Sequence, residues 1–347
     1  MWRKKDKQVK KKTTIILIIV TLVVLLMAIA GTLLVKSQNL RIAEPTRVNV
    51  PDNATYSDLV DSLDAHHCIP SHAVFNTLAR ARRLPSHIKP GSYRFNPNEN
   101  ILLVIQTLYS GKQTPIRVTI NKKRTVQQLC DYLGTKLELT SDSLRFLMES
   151  PLICKQYGET PQTIIGMFPQ NTYELYWNIT PKALLNRMLK ESDTFWNSRD
   201  ARLKEVGLSR QQVLTLASIV EEETNCNEEK PDIASVYLNR YRIGMPLQAD
   251  PTVRFALEDF GIQRIRGNML EVESPYNTYK YAGLPPGPIC IPSVASIDAV
   301  LKNKKTDYLF FCAKEDFSGR HNFSSTHEEH LFNAKKFHKA LNDRNIR

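Results

Sequence analysis

The sequence predicts an α+β fold: a single N-terminal transmembrane helix, a small module, and a larger mixed α+β domain. Three observations predict it. Residues Thr13–Val35 form a run of 23 without a charge. From Val48 onward, short alternating segments interchange with amphipathic helical ones. The chain beyond Val35 is too long for one small domain and suits about two. The expected boundaries are 1–12 for a basic tail, 13–35 for the membrane helix, 36–45 for a linker, 46–112 for the small module and 113–347 for the large domain.

The apolar run is long enough to cross a bilayer as a helix. Arg3, Lys4, Lys5, Lys7, Lys10, Lys11 and Lys12 precede it, against Asp6 alone, and account for half of the net charge of +12. Positive flanks stay inside, so the N-terminus is expected in the cytoplasm and everything after Val35 outside, on a single-pass anchor in the cytoplasmic membrane. A cleaved signal peptide is the alternative, because Ala28-Ile29-Ala30 resembles a cleavage site. The run continues through Leu33, Leu34 and Val35, however, and exceeds a signal core of about 7–15 residues. The outer portion keeps a mild positive excess, which suits an anionic polymer or membrane surface and equally ordinary solubility. No arginine-rich tract or aromatic-basic pattern argues for nucleic acid.

The small module reads as a strand around Arg47–Pro51, a helix over Tyr56–Leu63 with Ser57 as candidate cap, and a second helix over about Ser71–Leu84. Ile88–Phe95 turns into a strand, and a third helix runs from Glu99 to Leu108 before Ser110-Gly111. Strand, two helices and strand in under about 55 residues describe a carbohydrate-binding LysM-like module. Pro115–Asn121 alternates as a strand and opens the large domain. Helical patterns follow at Thr125–Leu137, Ser141–Glu149 and Pro181–Glu191. Another helix begins at Pro231 and ends before Gly244, good residues for those two ends. The chain then becomes loop-rich until Thr306–Ala313, which reads as a buried strand, and a final amphipathic helix from near Ser325.

One helix carries the chemistry. Ser209 and Gln212 form a capping box, and Leu208 and Val213 hold the staple positions. At about 100° per residue, Val213, Leu214, Leu216, Ala217, Ile219 and Val220 fill one arc. Glu221 and Glu223 fall inside that arc, and Glu222 falls opposite, where it should be solvated. Burial and the negative end of the helix dipole both push a carboxyl pKa upward. An acid that keeps its proton near neutral pH is what general-acid catalysis needs. Glu221 and Glu223 are both candidates, with a frayed, solvated helix end as the plain alternative.

Other constellations are weaker. His327-Glu328-Glu329-His330 lacks the zinc-protease spacing, so a surface or substrate-contacting role is expected for these histidines, and no metal or cofactor. Cys68, Cys130, Cys154, Cys226, Cys290 and Cys312 form no C-x-x-C pair and are expected to be mostly reduced. Gln248-Ala249-Asp250-Pro251-Thr252-Val253 and Pro275-Tyr276-Asn277-Thr278-Tyr279 place aromatic rings beside amides and carboxylates. Such loops make sugar-binding surfaces, or simply capped turns.

Taken together, Leu216-Ala217-Ser218-Ile219-Val220-Glu221-x-Glu223-Thr224, Asn239-Arg240, Leu247-Gln248-x-Asp250-Pro251-Thr252, Tyr276-Asn277-Thr278-Tyr279 and Gly283-Leu284-Pro285-Pro286-Gly287 resemble the YceG-like family of bacterial endolytic murein transglycosylases. The resemblance runs from the membrane anchor to His321 and Phe323. It implies a lyase of the lytic transglycosylase class that cleaves MurNAc–GlcNAc bonds in nascent peptidoglycan and closes a 1,6-anhydro ring. Glu221 would be the catalytic acid and base. Glu223, Gln248, Asp250, Thr252, Tyr276, Asn277, Tyr279 and His321 would orient it or bind sugar. Penicillin-binding proteins are the partners that family analogy implies. Two segments depart from the family pattern: Asn121-Lys122 stands where an acidic-Gly pair is common, and Asn171 where Asp is common. The rival reading is a non-catalytic scaffold that binds glycan and docks synthesis enzymes.

Overall fold

The computed structural model describes residues 2–262 and 264–344. Met1, Gln263 and residues 345–347 lie outside the described residues, as do the side chains of residues 2–11, on which the expectation of a basic tail falls. The architecture is mixed α+β. Helix α1 (Trp2–Lys36) includes a stretch, Lys12–Lys36, of mean hydropathy 3.0 with none of its most apolar window buried. It is the one described helix long and apolar enough to cross a membrane.

Two compact units follow from the contacts. One reaches Ile116 and takes in Leu175–Asn178; the other holds Arg117–Glu174 and the chain from Ile179. In the first unit, β1 (Thr46–Val50), α2 (Tyr56–Ala65), α3 (His72–Ala81), β2 (Gly91–Phe95) and α4 (Ile101–Ser110) occur in order. β1 and β2 pair antiparallel with Val48 opposite Tyr93. The period-2 alternation turns Val48, Val50, Tyr93 and Phe95 inward, where they meet Leu59 and Phe75 in one core. Thr55, not Ser57, caps α2: its hydroxyl accepts from the Asp58 N–H while the Asp58 carboxylate accepts from the Thr55 N–H. Gly111 ends α4 in the left-handed region, φ 70°.

The second unit contains, apart from the strand-end residues Ile116 and Leu175, β3 (Ile116–Ile120), α5 (Val126–Gly134), α6 (Ser141–Glu149), α7 (Pro151–Gln156), β4 (Asn171–Leu175), α8 (Pro181–Asn197), α9 (Asp200–Val206), α10 (Arg210–Glu223), α11 (Lys230–Arg242), α12 (Asp250–Ala256), α13 (Val294–Leu301), β5 (Phe310–Ala313), β6 (His321–Ser324) and α14 (His327–Asp343). The capping box of Ser209 and Gln212 starts α10. Every residue from Val213 to Val220 on α10 is buried, including Thr215 and Ser218. The helix is therefore central, packed by α11, α12 and α13, and has no wet face over those two turns. The one-sided arc read from sequence described only part of its surroundings. The expected buried strand is another correction. β5 is half-buried, because among the described residues it pairs only with β6 and just one of its faces lies on the core. Phe311 and Phe323 pack inward, whereas Phe310 stacks on His330 of α14 at 5.4 Å.

Loop segments reach α10 through specific bonds. The Ile289 N–H donates to Ser218 Oγ at 2.9 Å, which ties the Gly283–Gly287 segment to the buried helix. A Cβ on Gly287 would lie 2.2 Å from the Gln162 carbonyl oxygen, so only glycine fits that approach. The Ile291 N–H donates to the Lys123 carbonyl at 2.8 Å, and Gln170 Nε2 donates to the Ile291 carbonyl at 2.8 Å. Segments 121–124, 170–171 and 289–293 thus converge on the C-terminal end of α10.

Candidate active site

Glu221 occupies the last turn of α10, and its carboxylate points at the N-terminus of α13. One oxygen, Oε2, accepts from Ser293 Oγ at 2.5 Å, Ser296 Oγ at 2.6 Å, Lys230 Nζ at 2.9 Å and the Ser293 N–H at 3.3 Å. Ser293 is the N-cap of α13, and its hydroxyl also accepts from Lys230 Nζ. Among the described residues no donor reaches Oε1, and the side chain remains 14 % exposed. The carboxylate is therefore fixed by one oxygen and open at the other.

This arrangement reverses the expected ionisation of Glu221. Burial raises its pKa, but donation by Ser293, Ser296 and Lys230 and the Lys230 charge outweigh burial, and the net shift is downward. The sequence reading counted only the negative C-terminal end of α10. The positive N-terminal end of α13 faces the same oxygen and favours the anion.

Glu222 is also a correction. It is not solvated: its side chain is 9 % exposed, with Arg124 Nε at 3.2 Å, Arg124 Nη2 at 2.9 Å and Lys122 Nζ at 3.2 Å. The chain that leaves β3 supplies both cations and covers the face that the helical wheel left to water.

Glu223 is the carboxyl that keeps its proton. Burial, with the charges of Asp250 and Glu222, pushes it up to about 7, against donation by the Tyr237 hydroxyl and the charge of Arg254. The Tyr237 hydroxyl donates to Glu223 Oε1 at 2.6 Å. This has a measurable consequence. The native state holds the proton up to about pH 7, whereas an ordinary carboxyl releases it near 4.5. Folding stability from this group is complete below about pH 4.5 and falls as pH rises to 7, by on the order of 3 kcal/mol. Glu223→Gln should flatten that slope in thermal unfolding at pH 5 and pH 8. Parallel slopes for the two proteins would mean that the proton does not reside on Glu223.

The structure brings most of the loop residues to the α10–α11–α12 junction. Asp250 opens α12 and accepts from the Tyr279 hydroxyl at 2.6 Å. Gln248 sits at φ 53°; its N–H donates to the Thr278 carbonyl, and its side-chain oxygen lies 3.5 Å from Arg240 Nη1. Thr252 and Asn277 are fully buried. The Thr252 hydroxyl donates to the Ala249 carbonyl; Asn277 Nδ2 donates to the Leu270 and Val272 carbonyls, and its Oδ1 accepts from the Tyr279 N–H. Their polar groups organise loops. Tyr276 packs on Phe255 at 4.6 Å. His321 stands apart from that junction on β6, where Glu229, the N-cap of α11, takes both its N–H at 2.9 Å and its Nδ1 at 3.1 Å. An open groove of about 600 Å³ runs beside Glu273, Tyr281, Leu284 and Pro286.

Sequence reasoning missed Lys230, Ser293, Ser296 and Tyr237. A signal existed for Lys230: a cation in the first turn of a helix opposes the dipole and calls for a partner. Ser293-Val294-Ala295-Ser296 before an apolar run is a start signal that announces α13. All six cysteines are free thiols. Among the described residues no group of three or more His, Cys, Asp or Glu side chains is placed to hold a metal ion.

The model of the YceG-like family matches residues 48–336. The chain is similar to the endolytic murein transglycosylase of Bacillus subtilis, with 28 % identity over 313 residues covering 86 % of each protein. It is also similar to that of Streptococcus pneumoniae, with 24 % identity covering 82 % of this chain and 56 % of the relative. A crystal structure of a YceG-like protein from Listeria monocytogenes superposes with a TM-score of 0.54 and 29 % identity, covering 83 % of this chain and 98 % of that one.

Proposed function

Because the chain belongs to the YceG-like family, we propose that it is a lytic transglycosylase, an enzyme of the lyase class that cuts murein strands endolytically. Relatives from two genera that carry that activity in their names support the class. The observation that carries the chemistry is the Glu221 carboxylate, locked through Oε2 and open at Oε1. One fixed acid suffices for this reaction. Oε1 first gives its proton to the glycosidic oxygen between MurNAc and GlcNAc, and the bond to muramyl C1 breaks. The carboxylate then takes the proton of the muramyl C6 hydroxyl as O6 bonds to C1 and closes the 1,6-anhydro ring. Water is not the nucleophile, so the second carboxylate of a hydrolase is dispensable. The resting carboxylate is ionised, and a glycan that displaces water from around Oε1 raises its proton affinity.

In this reading α1 anchors the chain in the cytoplasmic membrane with the second unit outside. The strand-helix-helix-strand unit serves as a LysM-like glycan grip, and penicillin-binding proteins supply the nascent strands that cutting terminates. The test is digestion of purified peptidoglycan by the full chain in detergent, with products weighed by mass spectrometry. Anhydro-muramyl ends are expected. Reducing ends that carry added water would make the protein a hydrolase, and intact strands would favour the scaffold.

A further inference from the structure

Among the described residues the Arg254 guanidinium is bonded by no side chain, although its charge acts on the neighbouring Glu223. Arg254 lies on α12, half-buried, and among the described residues its guanidinium makes no hydrogen bond or ion pair; its Nε is buried without a partner. A buried N–H left unpaired is destabilising, more so when the group is charged. The nearby acids are already engaged. Glu222 is held by Arg124 and Lys122, Asp250 by the Tyr279 hydroxyl, and Glu223 by the Tyr237 hydroxyl.

Arg254 lines a recess with Arg124, Glu222, Phe255 and Phe260. The Arg124 guanidinium lies 5.0 Å from the Phe260 ring, and Phe255 and Phe260 stand 6.3 Å apart as a wall. The recess has about 20 Å³ of space for water-sized groups. That admits about one water or the tip of a carboxylate, and excludes a sugar ring. A planar guanidinium with free N–H groups matches a carboxylate in a two-bond fork. Two cations, Arg124 and Arg254, line the recess against the single lining carboxylate of Glu222, so the lining is net positive.

We propose that Arg254 is a specificity residue, and that its recess takes a carboxylate from the peptide stems of the glycan strand bound at Glu221. The proposal rests on the murein-strand reading above. It states that a strand with charged stems binds better than the same strand with the charges removed.

The test uses the full chain in detergent, with Glu221→Gln so that strands bind uncut. Three probes are titrated by calorimetry: stem-bearing glycan oligomers, the same oligomers with their carboxylates blocked as methylamides, and oligomers stripped of stems by an amidase, which carry only lactyl carboxylates. Stem-bearing oligomers should bind about tenfold more tightly than blocked or stripped ones, and adding Arg254→Gln should erase that preference. Stripped oligomers that bind as tightly as stem-bearing ones would overturn the stem assignment in favour of the lactyl group. Equal affinity for free and blocked stems would overturn the recess altogether. On the Glu221 background, Arg254→Gln should raise KM about tenfold on stem-bearing strands. Normal cleavage with no such change sinks the recess alone, whereas a chain that neither binds nor cuts glycan sinks the murein reading with it.

Discussion

Glu221→Gln is expected to lower the production of anhydro-muramyl ends by at least about 10³-fold. General acid–base transfer contributes about 10²–10⁴ to a step, and here one carboxyl serves both the protonation and the deprotonation. The amide keeps the shape of the side chain, and its carbonyl still accepts from Ser293 and Ser296. It cannot move a proton. Lys230, 5 % exposed, then faces a neutral amide, so some loss of stability accompanies the change, and a circular dichroism spectrum must accompany the assay. Glu223→Gln is the matched control. It removes the carboxyl that burial keeps protonated, two residues further along α10. If Glu223→Gln abolishes cleavage and Glu221→Gln retains a tenth or more, the acid is Glu223.

That control matters because the helical phase could not separate the two, and only the family resemblance favoured Glu221. The capping box at Ser209 and the convergence of apolar positions placed α10 within its observed bounds. Pro231 and Gly244 likewise framed α11, which spans Lys230–Arg242. These features are local: a cap, a period and a breaker act within a few residues. The ionisation of the glutamates is not local. Glu221 answers to Ser293 and Ser296, more than 70 residues away, and Glu222 answers to Arg124 and Lys122. A helical wheel assigns a face to each side chain but is blind to what covers that face. Short helices such as α12 and α13, of 7 and 8 residues, offer about two turns and too few apolar repeats to stand out. The site assembles from those helices, so its electrostatics lay outside what a period could show, although the residues of the loops were all in view.

The lowered pKa of Glu221 sets the second large expectation, a pH profile that Lys230 controls. In the free protein the carboxylate is ionised at neutral pH, because Ser293, Ser296 and Lys230 outweigh its burial. The first proton transfer needs the acid form. kcat/KM should therefore follow the protonated fraction and rise as pH falls from 7 through the acid range. Lys230→Met removes both the charge and one donor from Oε2. The anion loses both the Lys230 hydrogen bond and the Lys230 charge, the pKa of Glu221 rises, and the rising limb of kcat/KM moves to higher pH. Ser296→Ala removes a neutral donor alone and should move the limb in the same direction by less. Stability gives the converse sign. A depressed carboxyl pKa contributes stability above the ordinary carboxylate range, lost as pH falls through the lowered value. Lys230→Met should thus lower the unfolding temperature at pH 7 more than at pH 3. Coincident profiles for the three proteins would mean that the proton entering the glycosidic bond does not come from Glu221, whereas ordered displacement, Lys230→Met beyond Ser296→Ala, ties the rate to the one oxygen that both residues hold.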